Sequence, residues 1–127
     1  RHSNKIIGSK MTDTTNTNTI EWDDFLRVEM RVGTIISAEI NKKAKKPAYV
    51  MEVSLGELGT KRSSAQITVN YTPEELIGRR VLCVCNFPIK RIAGIKSEVL
   101  ITGAADENGA IVLAEFNLPV PDGARLA

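Results

Sequence analysis

The sequence predicts an all-β domain, a small five-stranded barrel interrupted by one short helix. Three observations carry this expectation. Apolar residues recur at every second position over several segments, the period of a half-buried strand. The one strong helix signature, Thr72-Pro73-Glu74-Glu75, is stopped by Gly78 after little more than a turn. Glycine, proline and asparagine punctuate the chain at the spacing of short strands.

The chain has 127 residues, 43% apolar and 25% charged, enough for one domain with a substantial core. Residues 1–10 precede Met11 and read as an added leader that holds the sole histidine, His2. Met11 to Asn18 is rich in threonine and asparagine without any period, so residues 1–19 are expected to be a disordered lead-in to a domain over 20–127. Ile6-Ile7 is too short for the apolar core of a signal peptide, and no run approaches the ~18 residues of a membrane span. The expected location is cytoplasmic, without membrane insertion.

Thr19 to Phe25 offers an N-cap candidate and a short helical turn with early acids. Trp22 and Phe25, three apart, share a face and read as anchors for this turn on the domain or on a second subunit. From Arg31 the period becomes two. Val32, Thr34, Ile36, Ala38 and Ile40 alternate with Gly33, Ile35, Ser37 and Glu39, a long first strand with a bend or bulge expected at Gly33. A basic turn follows, Asn41-Lys42-Lys43-Ala44-Lys45-Lys46-Pro47. Tyr49, Met51, Val53 and Leu55 mark a second strand, and Gly56 to Thr60 its connection to a third over Lys61 to Val69. Thr72 caps the short helix, with Pro73 in its first position. Val81 to Asn86 is the fourth strand and Val99 to Gly103 the fifth, while Asn108-Gly109 suits a turn into a further strand over Ile111 to Phe116. Pro119, Pro121 and Asp122-Gly123 mark an irregular tail.

Strand, strand, strand, short helix, strand, strand is the order of the OB-fold, a Greek-key barrel, here with N- and C-terminal extensions. An SH3-like barrel is the rival; the capped turn between the third and fourth strands favours the OB-fold.

Charge is distributed unevenly. Residues 31–97 carry twelve cations against five acids, between flanks that hold five acids and one cation each from Met11 on. Such a middle focuses positive potential on one face, or is solvated charge with no partner. Cys83 and Cys85 lie two apart on one face of a strand and read as buried, reduced thiols. No metal spacing and no cofactor motif is present. Asp23-Asp24 and Glu74-Glu75 read as acids at helix starts, and Ser63-Ser64 has no visible general base, so catalysis is not expected.

A binding role fits better. OB-folds hold nucleic acid across the second and third strands and the loops beside them. Here those loops carry Lys42, Lys43, Lys45 and Lys46, and Lys90, Arg91 and Lys96. Lys61, Arg62, Ser64 and Gln66 would lie between them, with Tyr49, Tyr71 and Phe87 as the few aromatic candidates for base stacking. Cations serve phosphates, and Ser and Gln reach base edges or sugar hydroxyls. The segment Asn86 to Leu100 also interleaves its cations with Phe87, Pro88, Ile92 and Ile95. These read as a subunit interface, a peptide groove or a folded-back plug.

Three stretches, Asp24 to Ile35, Ser63 to Thr68 and Asn86 to Leu100, resemble the CsaA-type, export-related chaperones of the tRNA-binding-domain family, in the family's order. The resemblance covers about Ile20 to Ala127. It implies an OB-fold homodimer in the cytoplasm that binds unfolded or preprotein chains without catalysis. It also admits an alternative, tRNA binding in trans with aminoacyl-tRNA synthetases. Asn86, Arg91, Gly94 and Ser97 stand where the tRNA binders of the family have matching residues, which adds Asn86 and Ser97 to the nucleic-acid candidates. Ala93 replaces an arginine, and Val99-Leu100 replaces a Gly-Met pair. These departures tilt the segment toward a chaperone surface. No nucleotide-binding motif is present, so binding and release are expected to be passive and ATP-independent, with Trp22, Phe25, Phe87, Pro88, Ile92 and Ile95 as the expected peptide or dimer contacts.

Overall fold

The computed structural model describes residues 18–127; the leader and nearly all of the Thr/Asn-rich stretch lie outside them. The architecture is an all-β OB-fold, a nearly closed antiparallel barrel with strand order β3-β2-β1-β4-β7. Its members are β1 (Met30–Ile40), β2 (Tyr49–Ser54), β3 (Thr60–Ala65), β4 (Arg80–Val84) and β7 (Leu100–Ile101). Two hairpins complete the sheet structure, β5 (Lys90–Ile92) with β6 (Ile95–Ser97) and β8 (Gly103–Ala105) with β9 (Ile111–Leu113). Helices α1 (Trp22–Arg27) and α2 (Pro73–Leu76) are short. Among the described residues no helix is long and apolar enough to cross a membrane.

Alternation in β2 builds the interior. Tyr49, Met51, Val53 and Leu55 are all buried, and Ile35, Leu76, Val81, Cys83 and Ile101 join them. Tyr49 and Tyr71 belong to this core rather than to a stacking surface. The Tyr49 hydroxyl donates to the Tyr71 carbonyl at 2.7 Å, and the Tyr71 hydroxyl accepts from the Leu113 N–H at 2.9 Å. Helix α2 forms as its sequence dictates. Thr72 accepts from the Glu75 N–H at its start, and Glu75 accepts from the Thr72 N–H.

Strand β1 departs from the simple alternation. Its pairing with β2 slips between Ile35 and Ser37, so Ile36 is the extra residue of a bulge and is half exposed. The inward positions are therefore Ile35 and then Ala38, not a continuous row through Ile36 and Ile40. Gly33, where a bend was expected, has a different task. A Cβ there would lie 2.5 Å from Val53 Cγ1 and 2.8 Å from Leu55 Cδ2, so its missing side chain lets β2 cross closely over β1.

The barrel closes between β3 and the chain entering β7. The Glu98 N–H donates to the Arg62 carbonyl at 2.8 Å, the Arg62 N–H to Glu98 Oε1 at 2.9 Å, and the Ser64 N–H to Ser97 Oγ at 3.1 Å. The tail is irregular but docked: Val32 donates to the Ala124 carbonyl, Gly123 to Val32 and Leu126 to Met30. Strand β3 ends at Ala65, short of the Val69 expected from sequence. The helical turn at the N-terminus starts at Trp22, with Glu21 and Asp24 forming its capping box.

Gly33→Ala should destabilise the protein by about 1–3 kcal/mol, the range for overpacking a tight contact. Urea unfolding followed by circular dichroism measures it; a midpoint equal to that of the wild type would contradict the packing role given to Gly33.

Candidate functional site

The outer face of β1–β3 forms a groove of about 430 Å³ between the basic loop after β1 and the β5–β6 hairpin. Cross-strand register sets its floor. Ser37 stands opposite Glu52, Glu52 opposite Arg62, Glu39 opposite Val50, and Val50 opposite Ser64. The Ser37 hydroxyl donates to Glu52 Oε1 at 3.0 Å. Lys42 and Lys43 form one wall and Gly94 and Ile95 the other. The two walls meet, since a Cβ on Gly94 would come 3.4 Å from Lys43 Cδ.

Of the cations expected from sequence, Lys42, Lys43 and Arg62 line this groove, and Lys45 and Lys46 are exposed on the same loop. Lys61 is separated from them. Successive residues of a strand point to opposite faces, and Lys61 instead lines a second depression with Glu29, Cys85, Phe87 and Glu98. On the hairpin, Arg91 faces Lys96 directly. Both lie on the opposite side from Ile92 and Ile95, which form the next pair, while Lys90 pairs with Ser97. Like charges set across one rung repel unless an anion lies over them. Gln66 follows β3 and is exposed.

Two candidates have structural tasks. Asn86 spends its side-chain amide on the backbone: its Oδ1 accepts from the Glu29 N–H at 2.9 Å and its Nδ2 donates to the Arg27 carbonyl at 2.7 Å. It thereby fixes the exit of α1 against the end of β4. Ser97 ties β6 to β3 through the Ser64 bond described above.

The segment from Asn86 to Leu100 is more ordered than its lack of period suggested. Its centre is a two-residue hairpin whose turn, Ala93-Gly94, has φ of 50° and 82°. Both central residues are left-handed, as a type I′ turn requires. Ala93 is the non-glycine residue with positive φ among those described, a conformation with a cost of order 1 kcal/mol.

The apolar candidates also divide. Ile95 lines the groove. Phe87 and Ile89, 52% and 55% exposed, stand with Leu58 around the second depression, of about 340 Å³, and Pro88 is exposed between them. Trp22 and Phe25 stack on each other with ring centroids 5.1 Å apart, on a helix that buries none of its residues.

Sequence reasoning missed Glu39, Asn41 and Glu52 as groove residues. A signal existed: Glu52 lies between inward Met51 and Val53, so it must face out. The bulge at Ile36 hid the equivalent argument for Glu39 and Asn41.

Residues 30–125 match the family described as "Putative tRNA binding domain". Among solved structures, the chaperone CsaA from Bacillus anthracis is 47% identical, with a TM-score of 0.80, covering 86% of this chain and 99% of that one. CsaA from Picrophilus torridus is 40% identical, with a TM-score of 0.79, covering 86% of this chain and 100% of that one. Methionine–tRNA ligase 1 of Bacillus anthracis is 37% identical over 106 residues, 82% of this chain. The chain spans about 15% of the length of that ligase.

The two thiols are not poised for reaction. Burial pushes Cys83 up to about 12, and Cys85 is raised by burial first and by the charge of Glu29 second. A thiol whose folded value lies above its unfolded 9.0 favours the folded state below that pH, and the contribution is lost as pH rises past it. Folded protein should therefore be alkylated by iodoacetamide at pH 7.5 far more slowly than urea-unfolded protein, with Cys85 reacting before Cys83 as pH is raised. Mass spectrometry resolves the two sites; equal rates in folded and unfolded protein would contradict this placement.

Proposed function

The chain belongs to the tRNA-binding-domain family, and we propose that within it the protein is a non-catalytic, ATP-independent chaperone of the CsaA type. In this reading it acts in the cytoplasm, holding unfolded or preprotein chains in support of export. The observation that carries it is the second depression, where Leu58, Phe87 and Ile89 are exposed around a hollow they share with Glu29, Lys61 and Glu98. Exposed, contiguous apolar surface of this kind marks a binding surface. The likeness to two CsaA chaperones over almost their whole length supports the same reading.

A homodimer is part of the proposal. A six-residue helix is too short to persist by its own hydrogen bonds, and α1 buries no residue in the barrel. It is held at its end by Asn86 and by Arg125, whose guanidinium donates to the Leu26 carbonyl. Trp22, Phe25 and Leu26 thus form a presented surface that a second copy would cover.

Phe87→Asp with Ile89→Asp should abolish suppression of aggregation of a denatured client without lowering the melting temperature by more than a few degrees. Full activity in the folded double variant would remove the depression from the mechanism. Light scattering at micromolar concentration should give twice the 13.9 kDa chain mass, and Trp22→Asp should shift it to the single mass. A single-chain species in the wild type would refute the dimer.

RNA binding, including tRNA in trans with a synthetase, is the second reading. The groove cations and the opposed Arg91 and Lys96 favour it. Affinity for tRNA should then fall steeply with salt, and Lys42→Glu with Lys43→Glu should weaken binding and flatten the salt slope by about two phosphate contacts. An unchanged slope would place RNA elsewhere.

A further inference from the structure

The β8–β9 connection holds a chemically reactive pair that neither functional reading uses. Asn108 is the one asparagine of the chain followed by glycine, and Asp122 is the one aspartate so placed. In such pairs the glycine nitrogen can close on the side-chain carbonyl carbon, because no Cβ on the glycine hinders the approach. Their surroundings differ. Gly123 donates to the Val32 carbonyl at 2.7 Å, and Asp122 Oδ1 accepts from the Thr34 hydroxyl at 2.6 Å. Both belong to the docked tail, where a Cβ on Gly123 would lie 2.7 Å from the Leu55 carbonyl oxygen. Asn108 and Gly109 are instead exposed at a hairpin tip, and a Cβ on Gly109 would meet nothing within 4 Å.

Asp106 holds this tip closed. Its Oδ1 accepts from the Asn108 N–H at 2.9 Å and from the Ala110 N–H at 3.0 Å, and its Oδ2 from Asn70 Nδ2 at 3.3 Å. Its carbonyl accepts from the Gly109 N–H at 3.0 Å, and its own N–H donates to the Ala110 carbonyl at 2.8 Å. The bond from Ala110 first, and that from Asn108 second, hold the Asp106 carboxyl below the usual carboxylate range, so it is an ionised acceptor at neutral pH. The nitrogen that would attack is thereby restrained, its proton bonded to Asp106 rather than open to solvent base. Reaction requires the turn to open first, and exposed loop tips are among the segments that open locally at low cost.

We propose that Asn108 is a self-modification site of this protein, where the side-chain amide converts to aspartate and isoaspartate, and that Asp106 sets the rate as a positioning residue. In the opened turn the Gly109 nitrogen gives its proton to solvent base and bonds to Asn108 Cγ. The bond from Cγ to the side-chain nitrogen breaks, and ammonia leaves with a proton taken from water. Water then opens the cyclic imide. Cleavage between Cγ and the Gly109 nitrogen leaves aspartate. Cleavage between the main-chain carbonyl carbon and that nitrogen leaves isoaspartate, whose backbone runs through the side chain and is one carbon longer. Either product adds a negative charge next to Glu107 and close to Asp106, and isoaspartate also displaces the N–H groups that Asp106 binds.

The test is peptide mapping of the full chain by mass spectrometry, with chromatography separating aspartate from isoaspartate, over several weeks at pH 7.5 and physiological temperature. Asn108 should convert before the other described asparagines and before Asp122 isomerises. It should convert roughly ten-fold or more slowly than in chain unfolded by guanidinium chloride, because only the opened turn reacts. Asp106→Ala should raise the folded rate roughly ten-fold, the equilibrium worth of one hydrogen bond to a charged group, and leave the unfolded rate unchanged. Asp106→Asn keeps an oxygen acceptor in place and should fall between the two. If Asp106→Ala melts early, Asp106→Asn decides alone. Earlier conversion at another described asparagine or at Asp122, or none at Asn108 while the unfolded chain converts, would overturn Asn108 as the site. Equal rates in folded and unfolded wild type, or no acceleration in a folded Asp106 variant, would overturn the control by Asp106.

Discussion

Strand β1 must change partners along one of its edges, and much of the structure follows from how it does so. Over Thr34 to Ile40 that edge is taken by β2, while at Met30 and Val32 it is taken by the C-terminal tail. The two partners have to pass each other beside Leu55. A Cβ on Gly56 would lie 2.4 Å from the Asp122 carbonyl oxygen, and one on Gly123 would lie 2.7 Å from that of Leu55. Neither position has room for a side chain. The Thr34 hydroxyl donates to Asp122 Oδ1 at 2.6 Å and Arg31 to the Gly123 carbonyl at 3.0 Å, locking the crossing. From Met30 to Ile35, β1 is hydrogen-bonded on both sides, by β4, Gly78 and Arg79 on one and by the tail and β2 on the other, and presents no free edge for unwanted pairing there.

That crossing places the two surfaces. On one side of it β2 and β3 continue outward to form the groove floor. On the other, the tail reaches α1 through Arg125 and holds it beside the segment that starts at Asn86. The apolar hollow lies close by, because Leu55 and Leu58 flank the turn at which β2 leaves. Helix presentation and the hollow are therefore mechanical neighbours, which is why one short segment, Asn86 to Ile89, contributes both the clamp on Arg27 and the exposed Phe87.

Much of the fold was legible because the determining signals are local. The alternation from Tyr49 to Leu55, the Thr72–Glu75 capping box and the Asn108-Gly109 turn each act within a few residues, and each appears where expected. The bulge at Ile36 was not legible. Alternation in sequence continues through it, and only pairing with β2 shows that one residue is extra. The β5–β6 hairpin escaped for another reason: its strands have three residues each, too few to display a period, and its turn begins with alanine rather than asparagine or glycine. Candidate site residues suffered from the same limits. Lys61 was grouped with Arg62 by adjacency, though adjacency on a strand means opposite faces. Asn86 and Ser97 read as ligand groups until their partners, 57 and 33 residues away in sequence, were in view.

The division between Lys61 and Arg62 has a further meaning. Because consecutive residues of β3 serve different surfaces, the hollow and the groove lie back to back across one strand. Glu98 sits at that boundary, accepting the Arg62 N–H while its side chain lines the hollow. The chemistry of the two surfaces differs accordingly. The hollow sets apolar Leu58, Phe87 and Ile89 beside Glu29, Lys61 and Glu98, and its apolar part suits chains that vary in sequence, since burial of apolar surface is not directional. The groove offers charged groups of both signs, Lys42, Lys43 and Arg62 with Glu39 and Glu52, and such groups discriminate because a wrong ligand leaves them unpaired. Ligands taken up by two faces of one strand need not displace each other. A polypeptide role and an RNA role can therefore reside in one small barrel without competing for the same side chains.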